Sequence, residues 1–465
     1  MTRLADLGLT DAAAVVREGR ATAVELTEDC LRRVEEVDEG IQAWAFLDPE
    51  YALRQARAAD GHRMAGGPLG PLHGVPVGVK DIFDTSDYPT EFGSALWQGR
   101  TPREDAVAVA RLRAAGAIIL GKTVTTEYAY FHPGKTRNPH DHARTPGGSS
   151  SGSAAAVAAG MVPAAIGSQT NGSVIRPASF CGVVGFKPTH GLIPRTGAML
   201  LSRALDHVGV FARSVADAAL MADVLAGFDA DDPDTRPVAG GQLAAAAASE
   251  PPLPPRFAFV KGPGWKAADP YLDEAFGELV TALGDNVSAV DIGASFDRGI
   301  DFHGTVMAAD MAHNFRRDLA NGGDALSPQL RELLLRGQKI SAFDYLEAVS
   351  AADSFNRLLD DVFNEYDAIL TSSSPGEAPI GTATGNPVFC SLWTYLGTPA
   401  VSLPLLAGPN GLPVGVQLIG RRGNDARLVR TARWLARHVA DGGRSETSSS
   451  KSKSSGRRTG QGRSK

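Results

Sequence analysis

Cysteine is scarce in this 465-residue sequence: Cys30, Cys181 and Cys390 stand far apart and are odd in number. That excludes a disulfide framework and a clustered zinc site, and it suits a reducing compartment. Each reads as a small buried hydrophobe. Long apolar runs are also missing. Nothing approaches the ~18 strongly apolar residues of a membrane span, and the most apolar stretch, residues 154–167, consists of small side chains interrupted by Gly160 and Pro163. The opening segment "MTRLADLGLTDAAAVVREGR" carries acidic residues and has no apolar leader core. Neither charge dominates, with a net of −6, so no nucleic acid or membrane partner is indicated. What is present is ordinary for a globular protein, 43% hydrophobic and 21% charged, with enough chain to bury a large core. The expected location is the cytoplasm.

Helix and strand patterns alternate. Residues 10–37 read as two amphipathic helices split at Gly19, the second opened by a Thr22/Glu25 capping box and carrying the stripe Leu26, Cys30, Leu31 and Val34. "HGVPVGVKDIFDT" (73–85) reads as a short strand entering a loop. Residues 105–123 read as a helix, a turn at Gly116 and a strand. This alternation predicts an α/β fold with a sheet covered on both faces. The Asp-, Pro-, Gly- and Ala-rich stretch 228–255 reads as a surface excursion. Residues 304–361 read as helical, a cap over a site. Residues 400–420 read as a hairpin at or near the sheet edge, and 428–438 as a last helix. One catalytic domain is expected over residues 1–441. The Ser/Gly/Lys/Arg-rich segment 442–465 has nothing apolar to anchor it and is expected to be disordered.

Three short motifs match known sites. "GAIILGKT" (116–123) fits the phosphate-loop string, but the residues between its glycines are themselves strand-like, where flexible backbone is required. "GSSSG" (148–152) fits the nucleophile elbow of α/β-hydrolases with Ser150 at its centre, which requires a strand immediately before it and a later acid and histidine. The preceding residues are polar and flanked by proline, while His190, His207, His303, His313 and His438 all lie downstream. An esterase using Ser150 therefore stays open as the second mechanism. His140 and His142 are two candidate metal ligands in a proline-flanked loop, where solvated side chains are the simpler reading.

A second glycine–serine site follows in "GSQTNGSVIRPASFCGVVGFKPTHGLIPRTG" (167–197). Ser173 ends a turn whose Asn and Gly tolerate unusual backbone angles, so successive N–H groups can converge as in an anion nest. A hydroxyl there has the parts of an acyl-transfer site. Lys80 is the candidate base, since burial disfavours the ammonium and lowers its pKa. From its strand alone, a lysine reaching out to water is the simpler reading.

Taken together, three segments resemble the amidase signature family. "GVPVGVKDIFDT" resembles its lysine strand. Residues 136–191 resemble its serine- and glycine-rich signature almost throughout, and "TYLGTPAVSLPLLAGPNGLPVGVQLIGRRGNDARLV" resembles its C-terminal block. The resemblance spans about residues 7–438. It implies a large mixed sheet covered by helices on both faces and a Ser-cisSer-Lys triad. The lysine falls on Lys80, the cis-serine on Ser149, and the nucleophile on Ser173, 24 residues later. The implied oxyanion donors are the N–H groups of Thr170, Asn171, Gly172 and Ser173, with Ser150 and Gln169 in support. No cofactor or metal is implied.

The sequence departs from the family's commonest pattern in two places. Gln169 and Asn171 stand where many members have Asp and Gly. The arginine, Arg176, stands three residues after Ser173, whereas in the branch resembling the glutaminase subunit of tRNA-dependent amidotransferases it commonly stands two after. The later position belongs to members acting on small carboxylate-bearing amides, which makes Arg176 a candidate carboxylate ligand; a structural ion pair is the competing reading. The expected substrate is a small-molecule amide. A glutaminase-type subunit feeding ammonia to a partner is the other family reading. Thr305, Met307, Asp310 and His313, and the surroundings of Trp393, are candidate pocket contacts, with core packing the simpler reading for Met307. A homodimer is the commonest oligomer by base rate.

Overall fold

The computed structural model describes the backbone of residues 3–454 and the side chains of residues 3–441. The chain opens as the sequence reading expects. Helices Leu9–Arg17 and Ala23–Ile41 meet near Gly19, and Thr22 caps the second through a complete capping box with Glu25. Leu26, Cys30, Leu31 and Val34 are all buried.

Eleven strands form one mixed sheet: β1 (Trp44–Leu47), β2 (Pro76–Lys80), β3 (Ile118–Thr123), β4 (Ala164–Gln169), β5 (Val184–Lys187), β6 (His207–Ala212), β7 (Phe257–Phe259), β8 (Val287–Ala289), β9 (Ala368–Ser372), β10 (Ala400–Ala407) and β11 (Pro413–Ile419). Their order is β1-β3-β2-β4-β6-β5-β10-β11-β9-β7-β8. Strands β2, β3, β4, β5, β6 and β9 are buried along their whole length. That is the state of a sheet covered on both faces, and it explains why these strands are mostly apolar without alternating.

The register sets up the site. Strand β2 lies parallel to β4 with Val79 beside Ile166. Their carboxyl ends, at Lys80 and Gln169, therefore emerge on the same side of the sheet. In open α/β sheets that is where ligands bind.

Two expectations are corrected. The 400–420 hairpin forms, with Ala400 opposite Ile419, but it is not at an edge: β10 pairs with β5 and β11 with β9. Six of the seven residues of strand β11 are buried, as expected of a strand inside the sheet. The 228–255 stretch is not all surface, because its alanine run folds as helix Gln242–Ala248 with Leu243 and Ala247 in the core. Alanine is the best helix former, and the Asp223 carboxylate accepts the N–H groups of Leu243 and Ala244, two of the four free donors at the helix start.

The phosphate-loop string fails as expected, since Ile118–Thr123 is strand β3. Residues 304–361 are helical, in Asp297–Asn314, Arg316–Gly322, Pro328–Gly337 and Ala342–Glu365. The last helix is Asp425–Ser454. The side chains of the expected tail, 442–465, lie outside the described residues. Among the described residues no helix is long and apolar enough to cross a membrane.

Candidate active site

Strand β2 ends by driving Lys80 into the core, where it has 0% exposure. It does not turn out to water. Its Nζ lies 2.8 Å from Ser149 Oγ and 2.8 Å from Ser168 Oγ. Burial holds the Lys80 amine well below the usual lysine range, opposed only by the negative charge of Asp206.

Ser149 is 2% exposed, and the Gly148–Ser149 peptide bond is cis. Ser150 follows at the N-cap of helix Ser151–Ala158. Its hydroxyl donates to Ser168 O (3.1 Å) and accepts the Ser168 N–H (3.3 Å). Gly167 makes room for it, because a Cβ there would come within 2.7 Å of Ser150 Oγ. No strand precedes Ser150, so the elbow is missing. His303 does not serve it either: its Nε2 donates to Thr170 O at 2.8 Å, and burial lowers its pKa to about 4, keeping the ring neutral.

The turn after β4 is held from both limbs. Gln169 Oε1 accepts the N–H groups of Val174 (2.8 Å) and Ile175 (2.9 Å), while its Nε2 donates to Thr394 Oγ1 (2.9 Å). A carboxylate has no proton to donate to Thr394, so the glutamine departure has a use. Thr394 Oγ1 in turn donates to Asn171 O (2.5 Å), and Ser391 Oγ donates to Asn171 Oδ1 (2.6 Å). Thr170 Oγ1 donates to Asp206 Oδ1 (2.6 Å). The N–H groups of Thr170, Asn171, Gly172 and Ser173 donate to no other group among the described residues.

Ser173 lines a small, narrow cavity together with Thr170, Asn171, Arg176, Ala129, Tyr130, Phe131, Leu201 and Met307. Arg176 is its only charged residue and is 2% exposed. Nη2 donates to Gly148 O (2.6 Å), whereas Nε and Nη1 have no partner among the described residues. No ion pair with Arg176 occurs there, and burial lowers its pKa to about 10.

The remaining candidates scatter. Met307 is both buried and part of this cavity wall. Asp310 and His313 line a different, larger cavity against Ser341 and Tyr345, and the Asp310 carboxylate accepts from Ser202 and Tyr345. Thr305 bonds back to Asp301 O within its own helix. Trp393 packs in the core. His140 gives its Nε2 to Cys181 O.

The sequence reading missed Ser168, Asp206 and His303 as neighbours of the site. Ser168 sits inside the quoted signature, so its place was readable. Asp206 carried no local signal. It is buried with its pKa raised to about 6, chiefly by desolvation, and its carboxylate also accepts the N–H groups of Leu201 and Ser202.

The family described as Amidase matches residues 25–429. The chain belongs to the amidase family. It is accordingly a hydrolase of C–N bonds with the amidase signature fold. It is similar to a glutamyl-tRNA(Gln) amidotransferase subunit from Chloroflexus aggregans, 35% identical over 471 residues, covering 92% of this chain and 96% of the relative. Among solved structures it resembles 6-aminohexanoate cyclic dimer hydrolase complexed with substrate, with a TM-score of 0.82 and 27% identity over 94% of this amidase and 98% of that chain. It also resembles native peptide amidase from Stenotrophomonas maltophilia, with a TM-score of 0.78 and 29% identity over 94% and 97%.

Proposed function

We propose that this amidase cleaves a small amide through Ser173, with Ser149 as relay and Lys80 as base. The observation that carries the reading is the buried Lys80 amine at 2.8 Å from Ser149 Oγ. A neutral amine has a lone pair for the Ser149 proton, and Ser149 then takes the proton of Ser173. Ser173 Oγ attacks the amide carbon. The uncommitted N–H groups of residues 170–173 receive the oxyanion, a contribution in which each donor typically matters by about 10²–10³ in rate. The relay returns its proton to the departing ammonia or amine, and water cleaves the acyl-serine by the same route.

Arg176 supports a substrate with a carboxylate. Its two unpartnered nitrogens, Nε and Nη1, are buried in a residue that lines the Ser173 cavity, and a charged guanidinium donor suits a carboxylate. The decisive experiment maps the serine labelled by a fluorophosphonate and follows ammonia release from an amide library. Labelling of Ser173, lost in Lys80→Ala, supports the reading; labelling of Ser150 overturns it.

A second reading, ammonia delivery to a partner chain, draws on the similarity to one chain of a glutamyl-tRNA(Gln) amidotransferase. Another protein co-purifying in stoichiometric amount would favour it.

A further inference from the structure

One wall of the Ser173 cavity is not used by the chemistry proposed above. Tyr130 and Phe131 belong to it, and Leu201 and Met307 line the same cavity. Their rings meet edge to face, with centroids 4.8 Å apart and planes at 78°. Both residues are half-buried.

The backbone behind this wall is a second, independent observation. Tyr128 and Ala129 both hold left-handed angles, φ 48° and 51°, which side-chain-bearing residues rarely adopt. Such positions persist only where the surroundings over-determine them, and they gather at functional sites. Here the surroundings do so. The Tyr128 N–H donates to Phe92 O (2.9 Å), and its hydroxyl accepts from Trp97 Nε1 (2.8 Å). Its ring packs edge to face on Phe315 at 5.0 Å. Thr126 Oγ1 donates to Tyr130 O (2.5 Å), and the Glu127 carboxylate accepts the Ser327 N–H (3.0 Å). The Thr126 N–H donates to Ser149 O (3.2 Å), tying the wall to the serine beside Lys80. The aromatic pair is thus fixed relative to the reacting atoms.

We propose that this wall selects an amide whose acyl group carries a flat aromatic ring, with Phe131 as the specificity-determining residue. The inference rests on Ser173 being the nucleophile. A rigid edge-to-face pair offers a third ring both a face and an edge, and such contacts add to the gain from burial alone. The thioether of Met307 in the same lining is a further favourable neighbour for a ring. A short aliphatic group has no ring to make these contacts.

The test compares kcat/KM for benzamide and propionamide, and inhibition by phenylboronic and propylboronic acids, which load the serine without turnover. The aromatic member of each pair is expected to be favoured by about tenfold or more. Phe131→Ala and the milder Phe131→Leu should each cut the benzamide-to-propionamide ratio by about fivefold or more, chiefly through KM. Equal use of both amides by the wild type, or a ratio unmoved in both variants, overturns the aromatic wall and leaves the amidase reading intact. A wild-type protein whose Ser173 resists fluorophosphonate overturns both together.

Discussion

Lys80 Nζ and Ser149 Oγ stand 2.8 Å apart with almost no access to solvent. The pair joins the end of strand β2 to a loop 69 residues later in the chain, and only the sheet register brings them together. Replacing either partner tests the proton relay directly. Lys80→Met and Ser173→Ala are each expected to lower kcat by about 10³-fold or more, since members of such a unit act together. Both should keep the wild-type far-ultraviolet dichroism. Lys80→Met should also be no less stable than wild type, because it removes a buried amine. Ammonia release near the wild-type rate from either variant would remove the relay.

The pH dependence follows from the charge that acts on that amine. The base must be neutral, so kcat/KM should rise with pH as Lys80 loses its proton. Asp206 favours the charged ammonium and so raises the Lys80 pKa against the larger, opposite effect of burial. Asp206→Asn takes that charge away. The ammonium then becomes harder to keep, and the midpoint of the rise should move to lower pH. The asparagine can still accept the Leu201 and Ser202 N–H groups and turn its NH₂ to the Thr170 hydroxyl, so the turn should hold. A midpoint that stays put or moves upward in the kcat/KM profile would show that Asp206 does not act on the base.

These two residues also show how far the sequence could be read. Lys80 was visible only because a long serine- and glycine-rich signature came with it; its strand alone favoured a lysine reaching out to water. The local elements were visible for the same kind of reason: the Thr22 capping box and the β10–β11 turn are contiguous patterns with their own physics. Asp206 and His303 are contiguous with nothing. They reach the Thr170 turn through β4–β6 pairing and through the packing of helix Asp297–Asn314, and neither relationship has a period or spacing in one sequence. The place of the hairpin was misread because a turn motif fixes two strands against each other and says nothing about what lies on either side. Asp310 and His313 were misplaced because a helix face cannot be assigned to one of two cavities without knowing its rotation.

Arg176 offers a test of substrate charge. Its Nη2 is committed to Gly148 O and its other two nitrogens are uncommitted. If these take a carboxylate, malonamate should be cleaved in preference to a neutral amide of similar size by about tenfold or more, as expected of a charge-assisted pair. Arg176→Met should abolish that preference. Arg176→Lys should restore part of it, since an ammonium keeps the charge without the fork. The comparison uses ratios of kcat/KM, so a general loss from the broken Gly148 contact cancels. No preference in the wild type would assign Arg176 to holding the Gly148 loop alone.

A last prediction concerns the residue directly after the base. Asp81 Oδ1 accepts from Lys122 Nζ at 2.9 Å, and both side chains are buried. Lys122 also donates to Pro89 O (2.9 Å) and Thr90 Oγ1 (2.6 Å), and Asp81 Oδ2 accepts the Glu91 N–H (3.1 Å). Burial pushes the Asp81 carboxyl up and the Lys122 amine down, while each charge favours the other. Removing one partner leaves the other charge without compensation in a dry site, a loss of about 3–5 kcal/mol. Replacing both removes the desolvation penalty along with the attraction. Asp81→Asn and Lys122→Met should therefore each lower the urea midpoint strongly. The double variant should lose much less than the sum of the two, a coupling that a double-mutant cycle reads directly. Additive losses would mean that the two side chains act through their separate backbone contacts, not through each other.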